Sequence, residues 1–266
     1  MPNKFVEDLL EKGRVFDLGQ QIFPGMPHHP NQPPFGYTLL KKHGDITLEE
    51  KKISFCNDIF MMGGHTGTHL DAVSHVACNN RVFKDRDISN DQDYQNGLGI
   101  GSIDATGPIV KRGVLLDIPA SVGLEVLPHD FGIGENELKN AADKEGVSPG
   151  KGDVVLIRTG WIQFWDDRKK YLSIDKGVPG VVEDGARYLA SLKVAFTGTD
   201  TTAYEKVPPH YLPCHVILLM ENGIQIMEML NLEELSKEKI YEFLFIALPL
   251  KIRGGSGSPI RPIAIA

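Results

Sequence analysis

Between residues 63 and 75 the chain reads Gly-Gly-His-Thr-Gly-Thr-His-Leu-Asp-Ala-Val-Ser-His. His65, His69, Asp71 and His75 carry odd numbers, so an extended backbone points all four to one face. Distance then restricts the fold. At about 3.3 Å per residue, His65 and His69 stand roughly 13 Å apart on a straight strand, too far to share an ion. A helix would join positions i and i+4, but Gly and Thr at 66–68 are poor helix formers. The segment is therefore expected to kink or bulge at Gly67 and fold His65 back towards His69 and Asp71. Two imidazoles plus one carboxylate suit Zn²⁺, Mn²⁺ or Fe²⁺ and leave positions open for water. The plainer alternative is three polar side chains in a turn.

A second window runs from Asp200 to His215 and is followed by VILLMENGIQIMEML. Pro208 and Pro209 hold the approach to His210 extended. Glu221 precedes Asn222-Gly223, a pair that reads as a hairpin tip. Glu228 interrupts an apolar run, and an ionised carboxylate there needs a partner such as a metal or a histidine. An outward-facing Glu on an edge strand is the competing reading.

Composition narrows the function classes. With 28 Lys plus Arg against 35 Asp plus Glu, the formal charge is -7, which argues against a general nucleic-acid binder. Three cysteines, Cys56, Cys78 and Cys214, show no CxxC spacing, so a disulfide framework is not expected and a reducing compartment is. The first 18 residues carry scattered charges and no apolar core of a signal peptide. FLFIALPL at 243–250 is far too short to span a bilayer. A soluble cytoplasmic protein with a small-molecule substrate, and neither nucleic acid nor membrane as partner, is the expectation.

At 266 residues the chain reads as one domain over 1–266. Strand-like runs are expected at Val15–Ile22, Val114–Ile118, Val154–Arg158, Val194–Thr197, Val216–Met220, Ile224–Met229, Phe243–Leu250 and Ile260–Ala266. Helices are expected at Met1–Lys12, Glu135–Gly146, Gly180–Lys193 and Leu232–Phe243. Helices interspersed with many strands imply an α/β domain with a mixed sheet, without the regular βαβ repeat of a doubly wound nucleotide fold.

The two windows together resemble the cyclase family of metal-dependent hydrolases, which includes bacterial kynurenine formamidase and isatin hydrolase. The family signature HxGTHxDxPxH is matched by HTGTHLDAVSH at every position except the proline, where Val73 stands. Further similar text is DLGQQIFPGMP near the start, GKGDVVLIRTGW at 150–161, FTGTD at 196–200, ILLMENG after His215, and GSGSPIRPIAI at the end. The resemblance spans nearly the whole chain. It implies a kynurenine-formamidase-like swivelling β/β/α fold with a mixed β-sheet core, and a homodimer or higher homo-oligomer. It also implies metal ligation by His65, His69 and Asp71, with His75 in the place of the general base. His215 and Glu228 fall where formamidase-type members complete a second metal position, and His210 fits a histidine of the isatin-hydrolase type. One or two ions, Mn²⁺ or Zn²⁺, are compatible with this mixture.

The implied activity is hydrolysis of a C–N bond in an aryl formamide or a cyclic amide, with metal-activated water and His75 or His210 moving the proton. A lactone hydrolase or cyclase on the same site is the first alternative; a non-catalytic binding protein of this fold is the second. Phe55, Phe60 and Trp161 lie beside motif segments and are candidates for an aromatic wall against a planar substrate. The glycine-rich text at 254–259 reads as a tight turn, because it lacks the lysine and following helix of a P-loop. Ser74 and Ser256 have no nucleophile elbow. His28 and His29, flanked by prolines, read as loop residues within reach of a site mouth.

Overall fold

In the computed structural model, residues 11–45, 47–48, 53–208 and 211–266 are described. The expected helix Met1–Lys12 lies almost entirely outside them. In chain order the elements that matter here are β1 (Val15–Asp17), β2 (Gly36–Lys41), β3 (Asn57–Met61), β4 (His69–Asp71), β5 (Ile109–Asp117), α1 (Ile118–Val122), α2 (Glu135–Glu145), β6 (Val154–Arg158), α3 (Arg168–Leu172), α4 (Glu183–Leu192), β7 (Phe196–Thr199), α5 (Pro213–His215), β8 (Gln225–Glu228), α6 (Glu233–Lys237), β9 (Glu242–Ala247), β10 (Gly257–Pro259) and β11 (Ile263–Ile265).

Among the described residues, nine strands form one sheet in the order β1-β11-β9-β5-β6-β7-β8-β4-β10. Neighbours from β5 to β8 run parallel, and the remaining pairs are antiparallel. Parallel strands need crossovers, and these put helices on the sheet. Alternation along the strands divides the core in two. Val114, Leu116, Val155 and Ile157 meet Leu138 of α2 and Leu189 of α4 on one face. Leu115, Val154 and Leu156 face the other way, towards Phe243, Phe245, Met227 and Leu70. Burial on both faces explains why β6 reads VVLIR with no polar alternation before its terminal Arg158. The architecture is thus the mixed α/β one expected.

Several elements differ from expectation. Val216–Met220 is not a strand; the chain continues from α5 into a π-helix, Val216–Glu221, whose Ile217, Leu218 and Leu219 are buried. A short apolar run carries no period that separates a buried strand from a buried helix. Asn222-Gly223 therefore turns a helix into β8 rather than capping a hairpin, with Gly223 at φ +66°. The helix expected at Leu232–Phe243 stops at Lys237; Lys239 takes a left-handed φ of +55° and the chain re-enters the sheet as β9. β2 and β3, unread in the sequence, pair as an antiparallel ribbon outside the main sheet. The site lies at the carboxyl ends of β7 and β8, where open α/β sheets place their ligand crevices.

Candidate metal centre

β4 is buried along its length. Leu70 turns into the core, which leaves His69 and Asp71 on the opposite face. Register sets their neighbours: His69 lies across from Glu228 of β8 and Pro259 of β10, and Asp71 across from Gly257. The expected kink is present at Gly67, with φ +63°. It returns the His65 ring to 5.2 Å from the His69 ring, nearly perpendicular to it. Gly257 makes room for His65, since a Cβ there would stand 2.6 Å from its Cε1. His215 ends α5, whose first residue, Pro213, has its φ preset for a helical start.

The polar atoms then converge. His65 Nδ1 is 2.7 Å and His69 Nε2 3.6 Å from Asp71 Oδ1. His215 Nε2 is 3.6 Å from Asp71 Oδ2 and 3.4 Å from Glu228 Oε1. Glu228 Oε2 is 3.6 Å from His69 Nε2. Two ligand groups result, His65–His69–Asp71 and Asp71–His215–Glu228, all buried and sharing Asp71.

Each imidazole is backed on its far nitrogen. His69 Nδ1 donates to the Gly67 carbonyl at 2.8 Å, His215 Nδ1 to Glu205 at 2.5 Å, and His65 Nε2 lies 3.0 Å from Ser256 Oγ. This network, from which the tautomers are assigned, leaves one lone pair per ring aimed at the carboxylates, the pattern of metal-bound histidines. Both Asp71 carboxylate oxygens are buried with no hydrogen-bond partner. Orphaned oxygens facing three imidazole lone pairs fit a divalent cation.

Electrostatics agree. Burial pushes the Asp71 carboxyl up, but the imidazoles of His75, His65 and His69 outweigh it and hold the group well below the usual carboxylate range. Burial pushes His69 and His75 down to about 4, against the pull of Asp71. For His215 burial is overcome by Glu205 and Glu228, which raise it to about 10. Glu228 is pushed up by burial. Positive charge is favoured between these carboxylates, whether carried by protons or by an ion that displaces them.

The cyclase family model matches residues 16–206. The chain belongs to the cyclase family. An isatin hydrolase of Roseibium aggregatum is 29% identical over 213 residues, covering 77% of this chain and 73% of the relative. A kynurenine formamidase of Geobacillus thermodenitrificans is 26% identical over 246 residues, covering 92% and 94%. A crystal structure described as a novel cyclase superposes with a TM-score of 0.89 at 28% identity, covering 100% of this chain and 92% of that one.

In this cyclase-family chain the candidate ligands line a cavity of about 370 Å³ together with His75, His29, Asn31, Gln32, Thr202, Ala203, Leu212 and Met229. The His75 ring lies 4.1 Å from that of His65. His210 falls outside the described residues. The aromatic wall expected from Phe55, Phe60 and Trp161 is not formed in this cavity. Phe55 and Phe60 are exposed, Phe60 on β3, while Trp161 is buried and donates its indole N–H to the Tyr171 carbonyl. The apolar part of the wall comes from Ala203, Leu212 and Met229 instead. Glu205 was not singled out in the sequence, because Ala-Tyr-Glu-Lys-Val gives no sign that its carboxylate is 1% exposed. Ser256 matters as the hydroxyl behind His65 rather than as a nucleophile. Cys78 and Cys214 stand outside the ligand groups, and Cys214 Sγ donates to the Val181 carbonyl.

Proposed function

We propose that this protein hydrolyses the C–N bond of an aryl formamide or a cyclic amide, using one or two divalent ions, Mn²⁺ or Zn²⁺. The observation that carries the reading is the shared Asp71, which sits between two buried ligand groups at the wall of a substrate-sized cavity. The isatin hydrolase and kynurenine formamidase among the relatives support the choice of bond. His65, His69 and Asp71 would hold one ion, and Asp71, His215 and Glu228 a second. A bound ion supplies Lewis acidity, polarising the amide carbonyl and acidifying water.

His75 is the proton carrier. Its ring lines the cavity beside the ligands, and burial keeps it neutral at physiological pH and therefore able to accept a proton. It takes the proton from water as the water attacks the carbonyl carbon, then returns it to the leaving nitrogen. His210 serves as the alternative carrier. Asp71 and Glu228 would offset the charge of an ion held there, and Glu205 fixes the His215 ring so that Nε2 faces them. Leu212, Ala203 and Met229 supply the apolar surface for the body of the substrate.

We also place this chain in a homodimer or larger homo-oligomer, its partner a second copy. The support is the β2–β3 ribbon, where Tyr37, Leu39, Leu40, Ile59, Phe60 and Met61 are exposed on strands with no third neighbour among the described residues; soluble monomers rarely leave such a patch in water.

The test is a panel of formanilides, imides, isatin and lactones, assayed with metal-free protein and after loading with Mn²⁺ or Zn²⁺. Metal-dependent turnover of an amide is expected; turnover of lactones alone would overturn the C–N assignment. H75A should bind metal normally and lose at least about a hundredfold in kcat. An undiminished rate in the fully loaded variant would remove His75 as the base.

A further inference from the structure

A loop that lines the cavity through His29, Asn31 and Gln32 holds its two histidines by hydrogen bonds. Arg168 Nη2 lies 3.0 Å from His28 Nε2. A guanidinium can only donate, so His28 Nε2 accepts, and its Nδ1–H donates to the His29 carbonyl at 3.0 Å. That carbonyl also accepts from the Gln32 N–H at 2.9 Å. The Asn31 N–H donates to His29 Nδ1 at 3.2 Å. With Nδ1 an acceptor, the neutral ring of His29 carries its hydrogen on Nε2. Burial and the neighbouring His28 keep that ring neutral by pushing its pKa down. Nε2 has no partner among the described residues, and His29 lines the same cavity as the candidate metal ligands.

A second donor lines the same cavity. Thr202 follows β7, is only 6% exposed, and its hydroxyl has no hydrogen-bond partner. Its neighbours are satisfied, since Thr199 and Thr201 pair hydroxyl to hydroxyl at 3.0 Å. A buried hydroxyl without a partner is costly, and native structures leave few such groups unexplained. Neither His29 nor Thr202 is a ligand of the cluster.

We propose that His29 Nε2–H and the Thr202 hydroxyl bind a second oxygen of the substrate, apart from the scissile carbonyl, so that the site selects amides bearing a ketone or carboxylate oxygen beside the amide. The inference rests on the hydrolase reading above and adds the residues that set specificity. A site built to hydrogen-bond such an oxygen rejects analogues that lack it, because its own donors are then left unpaired.

The experiment compares N-formyl-2-aminobenzoate, which has an ortho carboxylate, with formanilide, which has none. Wild type, T202A, T202S and H29F are assayed, all metal-loaded. The preference for the carboxylate substrate should fall about three- to tenfold in T202A and in H29F, mainly through KM, and T202S should restore most of it. In parallel, calorimetric titration of the non-reacting probes 2-aminobenzoate and aniline should show the same loss of discrimination. Unchanged preference in both variants, or wild-type protein that binds 2-aminobenzoate no more tightly than aniline, would overturn the proposal. If wild type hydrolyses neither formamide the hydrolase reading falls, and the titration still decides whether His29 and Thr202 bind the oxygen.

Discussion

Behind His215, the Glu205 carboxylate fixes which nitrogen of the ring faces Asp71 and Glu228. E205Q keeps the size but removes the charge that holds the Nδ1–H. Metal affinity, read by chelator competition, should fall about 10- to 100-fold; an unchanged affinity would show that the contact is packing alone. Glu145 gives a pH dependence away from the site. Burial pushes its carboxyl up to about 8 from 4.5, partly offset by the backbone N–H of Asp117. The unfolded chain therefore releases this proton near 4.5 while the folded chain holds it to about 8, and the stability it contributes drains away as pH rises through that window. Melting temperatures of the metal-free protein at pH 5 and pH 8.5 should differ less in E145Q than in wild type. Legibility at this scale followed spacing. His65, His69, Asp71 and His75 were readable because one short segment carries them and the kink they require falls on a glycine. Glu205 and Thr202 were not, because their places depend on burial and on groups brought from other loops, while His29 was readable only as a loop residue within reach of the site.

Elements differ in how far their sequence fixes them. β6 was legible to the residue, since a short run rich in β-branched Val and Ile and bounded by Gly152-Asp153 and Thr159-Gly160 favours an inner strand over a helix. The π-helix was not, because VILLM is equally apolar in both periods and only packing against α4 and the sheet decides. The ribbon was missed because its exposed face mixes polar and apolar residues without a core to impose alternation. β10 shows how an element without side-chain chemistry serves the site. G257A would place a methyl group against the His65 ring, so His65 must move while β10 keeps its pairing with β4. The expected result is a cooperative melt with diminished metal binding; retained stoichiometry and affinity would show that the ring has another seat.

For the whole molecule, the exposed ribbon makes a prediction about mass in solution. Light scattering on purified protein should give at least twice the mass of one chain, and L40E combined with F60E should reduce it to one. A wild type that stays monomeric at high concentration would remove the homo-oligomer. The centre also has a consequence for folding. Its first ligand comes at residue 65 and the hydroxyl behind it 191 positions later, with His215, Glu228 and Glu205 arriving in between. No local fragment contains both ligand groups, so a chain whose sheet has not closed cannot assemble the full set, and contacts of such long range form slowly. Uptake of a full metal complement would therefore keep time with the last step of folding, and a tightly held ion at a hundred times its Kd would add about 2.7 kcal/mol to the finished state alone. Stoichiometry of bound metal, followed during refolding, becomes a clock for closure of the sheet.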